Sequence, residues 1–142
     1  MSKKELGLYI DRTYKIVRQD LINRFKENGI DLTPEQWVLI SRLRQDGDLF
    51  QTELANYSFR DKPTVSRIID LLVRKDVVTK TQDKIDGRKF LVSLTTQGHK
   101  MFDEAYPIVE SSREQGWTNL TQKEYEELVR ILDKVFANYS EQ

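Results

Sequence analysis

The chain has 142 residues and no cysteine, and its 23 basic and 23 acidic side chains give a formal net charge of zero. This length corresponds to one ordinary domain, and the lack of cysteine excludes disulfides, thiolate metal sites and thiol redox sensing within the chain. No segment approaches the roughly 18 apolar residues of a membrane span and no apolar signal segment follows the first residues, so we expect a cytoplasmic protein.

The first predicted element is a helix that ends at Asn28 and Gly29. Apolar residues at spacings of three and four line one of its faces, and others lie off that face, so we expect the helix to be shared between a core and a partner. The main stripe consists of Leu6, Ile10, Tyr14, Val17, Leu21 and Phe25. A second helix follows, with Thr33 as its N-cap, Pro34 at its first position and Gln36 completing a capping box.

A short helix over residues 51–57 and a longer one over residues 61–75 are joined by a brief turn, which predicts a helix-turn-helix. Asp61 is the predicted N-cap of the longer helix, and Pro63 is tolerated because its missing amide falls in the first turn. A buried apolar stripe leaves polar side chains facing outward. The stripe consists of Val65, Ile68, Ile69 and Leu72, and the outward residues are Thr64, Ser66, Arg67 and Arg74.

Two alternating, β-branched segments, residues 77–82 and 90–94, flank the turn sequence Asp86-Gly87 and predict a two-stranded hairpin. A hairpin directly after a helix-turn-helix predicts a wing. The fold class is therefore mainly α, with a winged helix-turn-helix. The long helix can enter a major groove of DNA, and the hairpin can reach the next groove with Lys84, Arg88 or Lys89.

Two further helices complete the predicted fold. Thr95 is the predicted N-cap of the first, which ends at Gly116, and Thr121 with Glu124 forms a capping box at the start of the second. The last helix carries an apolar seam that an antiparallel or coiled partner helix would cover. The seam consists of Tyr125, Leu128, Leu132, Val135 and Tyr139.

The zero net charge hides an uneven distribution. Residues 51–90 carry nine basic and six acidic side chains, whereas residues 100–142 carry five basic and nine acidic ones. A basic middle and an acidic end indicate where a polyanion would bind.

Two segments, DKPTVSRIIDLL at residues 61–72 and DKIDGRKFLVSLTTQG at residues 83–98, resemble the MarR (multiple antibiotic resistance regulator) family. The wing pattern D-x-x-D-x-R, followed by a strand and L-T-x-x-G, is the specific part of this resemblance. It implies a homodimeric transcription regulator, more commonly a repressor, that binds double-stranded DNA at a pseudo-palindromic operator. Residues 32–95 would form the DNA-binding region of a single domain, and residues 4–28 and 96–140 the dimerisation helices.

The resemblance also implies roles for individual residues. Ser66 and Arg67 fall where the family contacts DNA from its recognition helix, Arg88 falls on the arginine of the wing, and Asp86 is the acid expected to brace it. One departure is Ser58-Phe59 in the helix-turn-helix turn, where the family often has a hydrophobic residue and then glycine. The candidate DNA-binding residues are Lys62, Pro63, Thr64, Ser66, Arg67, Arg74, Lys84, Asp86, Arg88 and Lys89.

Many members of the family bind small phenolic or aromatic effectors between the dimer and DNA-binding regions. Tyr9, Arg12, Trp37 and Tyr106 are available for such a pocket, but aromatic residues at helical spacing are more often core, so we assign no effector residues. We expect no metal and no cofactor, because the single histidine, His99, cannot build a zinc site by itself.

Enzymatic interpretations lack support in the sequence, which has no Walker loop, GxGxxG turn, GxSxG elbow or HExxH helix. The remaining alternative is a winged-helix module that contacts proteins and never meets DNA. Exposed basic side chains at Lys62, Arg67 and Arg88 would favour binding to DNA over that alternative.

Overall fold

The computed structural model describes residues 5–140, and the predicted helix start at residue 4 lies outside them. The described residues form six helices and three short strands. Their bounds are α1 Leu6–Glu27, α2 Pro34–Asp46, β1 Leu49–Phe50, α3 Gln51–Ser58, α4 Lys62–Arg74, β2 Val78–Gln82, β3 Phe90–Leu94, α5 Thr96–Gly116 and α6 Gln122–Ser140. The predicted mainly α fold is confirmed. None of the helices described is both long enough and apolar enough to cross a membrane.

The described chain divides into two compact units, one that ends at Ser112 and one that begins at Arg113. The first unit contains the helix-turn-helix and the wing. The second contains the end of α5 and all of α6, where the ring of Trp117 packs edge-on against Tyr125 with 4.9 Å between centroids.

Reciprocal capping boxes fix the starts of two helices, as predicted. At α2, the Thr33 hydroxyl accepts the Gln36 amide at 3.1 Å, and Gln36 Oε1 accepts the Thr33 amide at 3.1 Å. At α6, Thr121 and Glu124 make the same exchange at 3.1 and 2.9 Å. Each box satisfies two backbone amides that have no partner within the helix.

The wing is an antiparallel hairpin in which Val78 of β2 pairs with Leu94 of β3 and Gln82 pairs with Phe90. This confirms the predicted hairpin. The structure adds a third strand that the sequence did not predict, because β1 pairs with the other edge of β3, with Leu49 opposite Val92. A strand of two residues is too short to show the alternation of apolar and polar residues by which strands are recognised in a sequence.

A single apolar core lies beneath the helix-turn-helix and the wing. Ile40 of α2, Leu54 of α3, Val65 and Leu72 of α4, and Val92 of β3 have no exposed surface. Ile69 is also buried and Ile68 packs against the cluster, so the predicted stripe of α4 is confirmed. Because α3, α4 and the wing share this core, they hold fixed positions relative to one another.

Two helices leave apolar faces uncovered. On α1, Phe25 is buried, but the N-terminal part of the stripe is open to solvent and Ile16 is 71% exposed. On α6, none of the described residues is buried, and the seam residues Leu128 and Leu132 are 45% and 42% exposed. Each face carries apolar side chains that its own unit does not cover.

The start of α5 packs closely against the base of the wing. The Thr95 hydroxyl accepts the Gly98 amide at 2.9 Å, so Thr95 is the N-cap as predicted, and the same hydroxyl donates to the Asp76 carbonyl at 2.5 Å. The Thr95 amide donates to the Val77 carbonyl at 3.1 Å. A Cβ atom at Gly98 would lie 2.1 Å from that carbonyl oxygen, so only glycine fits.

Candidate nucleic-acid interface

The helix α4 begins with an acidic cap and an exposed basic residue. Asp61 Oδ1 accepts the Thr64 amide at 2.7 Å, which confirms the predicted N-cap. This hydrogen bond to the carboxylate lowers the pKa of Asp61 below its ordinary value. Lys62 and Pro63 follow as exposed residues of the first turn. The Asp61 cap therefore fixes the backbone geometry of the first turn of α4, which carries Lys62.

The outward face of α4 has the composition that the sequence predicted. Arg67 is exposed, and its Nη2 donates to Thr64 Oγ1 at 3.3 Å. Thr64 and Ser66 are half-buried, and Arg74 is exposed in the last turn. This face offers a guanidinium group with the Thr64 hydroxyl beside it.

The wing carries an arginine that is held by an acid two residues before it. Asp86 Oδ1 accepts the backbone amide of Arg88 at 3.0 Å and its Nε at 3.1 Å, and Oδ2 accepts Nη2 at 3.3 Å. The hydrogen bonds from Arg88 lower the pKa of Asp86. The Arg88 side chain is nonetheless 92% exposed. Asp86 thus orients Arg88 without removing it from solvent, and the expected brace is present.

Hydrogen bonds to main-chain groups fix the loop between β2 and β3. Asp83 Oδ2 accepts the Asp86 amide at 3.0 Å, and the Asp83 amide donates to the Lys89 carbonyl at 2.8 Å. Gln82 Nε2 donates to the Gly87 carbonyl at 2.6 Å. Lys84 is exposed at the tip of this loop.

A cavity of about 190 Å³ joins the wing to the starts of α3 and α4. It brings together three of the six predicted cations, Lys62, Arg88 and Lys89, but it does not include Arg67, Arg74 or Lys84. Its remaining lining residues are Gln51, Thr52 and Phe90. Three cations from two segments of the chain favour an anionic group at this place.

Gln51 and Thr52 were missed by the sequence analysis. They are the first two residues of α3, where backbone amides have no partner within the helix and suit an anion. The sequence did indicate that these two residues begin a helix. It did not indicate that this helix begins beside the wing.

The turn between α3 and α4 keeps a regular geometry despite its departure from the family pattern. The Arg60 amide donates to the Ala55 carbonyl and the Phe59 amide to the Asn56 carbonyl, both at 3.4 Å. These two bonds form a Schellman motif with Phe59 in the left-handed position, at φ 56° and ψ 30°. The Phe59 side chain is 77% exposed.

The aromatic residues considered for an effector pocket fall in two places. Trp37 is buried and stacks on Phe102 with 5.0 Å between centroids, and Phe102 stacks on Tyr106 at 5.6 Å. Tyr9 and Arg12 form a separate cation–π pair on α1. Within residues 5–140, no group of histidine and acidic residues is arranged to hold a metal.

Residues 32–90 match the MarR family model, a range that contains α2, the helix-turn-helix and the loop of the wing. Over 89 residues the chain is 28% identical to the helix-turn-helix transcriptional regulator FarR of Neisseria gonorrhoeae, and this match covers 61% of each chain. Residues 32–90 are therefore a MarR-family region of this chain.

Two further proteins match this chain over most of their length. The helix-turn-helix transcriptional regulator YkoM of Bacillus subtilis is 25% identical over 134 residues, which cover 93% of this chain and 86% of YkoM. The structure of BpsR from Bordetella bronchiseptica superposes with a TM-score of 0.84 at 24% identity and covers 95% of each chain. This last likeness supports the MarR winged-helix fold.

Proposed function

We propose that this protein is a sequence-specific regulator of transcription of the MarR family, that it binds double-stranded DNA and that it is not an enzyme. The observation that carries the proposal is the cavity in which Lys62, Arg88 and Lys89 meet beside the first turn of α4. Its size and charge suit a phosphate group rather than a substrate that must be enclosed. The curated relatives FarR and YkoM are both transcriptional regulators. Binding to the chromosome would place the protein in the cytoplasm.

Each predicted site residue has a place in this proposal. The first turn of α4 enters the major groove, where Arg67 pairs with a guanine edge or a phosphate. Arg88, oriented by Asp86 and 92% exposed, reaches the adjacent minor groove. The proposed DNA-binding set is Lys62, Pro63, Thr64, Ser66, Arg67, Arg74, Lys84, Asp86, Arg88 and Lys89. We add Gln51 and Thr52 as proposed phosphate ligands, because they line the same cavity.

We further propose a homodimer that represses from a pseudo-palindromic operator. The uncovered apolar faces of α1 and α6 support this, because a second copy of the chain would remove them from water. Residues 4–28 and 96–140 would form the dimerisation region, and residues 32–95 the DNA-binding region. Two recognition helices related by a twofold axis would lie about 34 Å apart, one turn of DNA.

A small aromatic effector would regulate this dimer if it bound one dimer geometry better than another. Support comes from BpsR, whose DNA binding is regulated by 6-hydroxynicotinic acid. No residue of this chain is assigned to an effector.

The test begins with selection of genomic fragments by the purified protein, followed by footprinting and titration at several salt concentrations. If three cations of each protomer neutralise phosphates, the dimer makes six phosphate contacts. The logarithm of the association constant should then fall with the logarithm of the salt concentration with a slope of about −5. Arg67→Ala and Arg88→Ala should weaken binding. The matched control is Arg130→Ala, which removes an exposed arginine of α6 that pairs with Glu127.

The winged-helix protein-interaction module predicts a different result. In that case the protein would show no preference for duplex DNA over an acidic polymer, or its binding would not depend on salt. Equal losses for all three arginine variants would also contradict the proposed interface.

A further inference from the structure

The outward face of α4 carries an acidic side chain among its basic ones. Asp70 lies three residues after Arg67 and four before Arg74, and residues at these spacings are neighbours on one side of a helix. The Asp70 side chain is 50% exposed. Under the proposed function this face meets the negatively charged backbone of DNA, so a free carboxylate here would oppose binding.

The wing supplies a cation for this carboxylate. Lys80 Nζ donates to Asp70 Oδ1 at 3.1 Å, and the same Nζ lies 4.6 Å from the centroid of the Phe90 ring. Lys80 of β2 pairs with Val92 of β3, which makes Phe90 its diagonal neighbour on the same face of the hairpin. The ammonium group is therefore held between an acid of α4 and an aromatic ring of the wing.

Lys80 occupies a position at which an apolar residue would fit the strand pattern. Alternate residues of a strand face the same side of a sheet, and on this side the preceding residue Val78 and the paired residue Val92 are both buried. The Lys80 side chain is itself only 24% exposed. Ordering a long side chain has an entropic cost, and an ion pair that remains partly in solvent contributes little to folding. The charge at this position therefore points to a role beyond the stability of the sheet.

We propose that Lys80 is a positioning residue for DNA binding, which acts by holding and neutralising the Asp70 carboxylate on the outward face of α4. This proposal rests on the proposed function. Without Lys80, the carboxylate would attract the guanidinium group of Arg67 or Arg74 on the same helix face and would compete with DNA for it. With the ion pair in place, both arginines are available to phosphates and base edges.

The experiment compares Lys80→Met, Asp70→Asn and the double variant in operator titrations with the purified full chain. Lys80→Met keeps an unbranched side chain beside Phe90 but removes the charge. It should weaken binding about tenfold at low salt and less at high salt, because salt screens the exposed carboxylate. The double variant should bind within about twofold of the unaltered protein, since the charge that Lys80 neutralises is gone. Asp70→Asn alone should bind at least as tightly as the unaltered protein.

Controls separate this role from folding and from net charge. Lys80→Met should melt within about 4 °C of the unaltered protein, because a partly exposed ion pair contributes little to stability. Lys80→Gln, which is uncharged but polar, should bind DNA as Lys80→Met does, and Lys80→Arg should retain operator affinity because it keeps the charge. Lys15→Met removes the same charge from an exposed ion pair with Asp11 on α1 and should leave affinity unchanged.

The outcomes distinguish this inference from the function on which it rests. If the double variant binds as weakly as Lys80→Met, Lys80 contacts DNA itself, so the inference is overturned and the proposed function stands. The same conclusion follows if Lys80→Met and Lys80→Gln bind as well as the unaltered protein, or if Asp70→Asn alone weakens binding. If the unaltered protein binds no duplex specifically, the proposed function itself is overturned, and this inference with it.

Discussion

Replacing Gly98 by alanine should destabilise the protein strongly, although alanine is normally the better helix residue. The added Cβ atom would lie 2.1 Å from the Val77 carbonyl oxygen and 2.9 Å from Leu94 Cδ2. The leucine methyl group can rotate away, but the carbonyl belongs to the backbone and accepts the Thr95 amide at 3.1 Å. Restoring an ordinary carbon–oxygen contact requires the first turn of α5 to move by about 1 Å.

The expected cost can be estimated from this displacement. Overpacking against a rigid neighbour costs about 1–3 kcal/mol. Weakening the hydrogen bonds of Thr95 adds about 1 kcal/mol. The helix preference of alanine over glycine returns about 0.5–1 kcal/mol. The net loss is about 2 kcal/mol in the free energy of unfolding, which lowers Tm by about 7 °C for a chain of this size.

The assay is thermal unfolding followed by calorimetry, with urea denaturation to give the free energy. Gly116→Ala is the matched control, because it makes the same change at the end of α5, where an added Cβ atom meets nothing within 4 Å. This control should be neutral or stabilising by up to about 1 kcal/mol. If Gly98→Ala unfolds within 1 kcal/mol of Gly116→Ala, the close approach of α5 to the wing base does not exist as described.

Arg67→Ala should cost about 1–3 kcal/mol in operator affinity and should reduce discrimination at one base position. Arg88→Ala should weaken binding and should reduce only the preference for A·T-rich flanking sequence. Both variants are measured on a randomised operator library. Identical specificity changes would contradict the two-groove arrangement. Asp61→Asn should keep the α4 cap, since asparagine caps as well as aspartate. Because hydrogen bonding from Thr64 lowers the pKa of Asp61, the charged cap stabilises the fold above about pH 4 and is lost as pH falls through the lowered pKa. The melting temperature of Asp61→Asn should therefore depend less on pH in the acid range than that of the unaltered protein. Leu132→Glu places a charge on the α6 seam and should yield a monomer with little operator affinity in light scattering, and a persisting dimer would contradict the dimer assignment.

Local signals in the sequence were sufficient for the helices of this fold. Thr33, Asp61 and Thr121 act as caps at the predicted positions because a cap depends only on residues three positions apart. The brace between Asp86 and Arg88 was also within reach, since it spans two residues.

Features that depend on distant segments could not be predicted in this way. The strand β1 has only two residues, and its pairing with β3 joins positions more than 40 residues apart. The cavity depends on that pairing, so Gln51 and Thr52 were not recognised as part of the site. The geometry at Phe59 is likewise set by the Schellman hydrogen bonds and by the neighbouring helices, against the preference of the residue itself.

The short strand β1 also bears on how readily this site could change over evolution. Because Phe50 pairs with Leu91 through the backbone, the ends of α3 and β3 that border the cavity are spaced by main-chain hydrogen bonds. The Lys89 side chain adds one contact to this frame, with its Nζ 5.4 Å from the centroid of the Phe50 ring, whereas the Thr52 side chain is not part of the strand pairing. Under the proposed function, a substitution at Thr52 would alter which DNA is preferred and leave the pairing in place, so a new operator could be acquired by a single surface mutation while the scaffold is inherited unchanged.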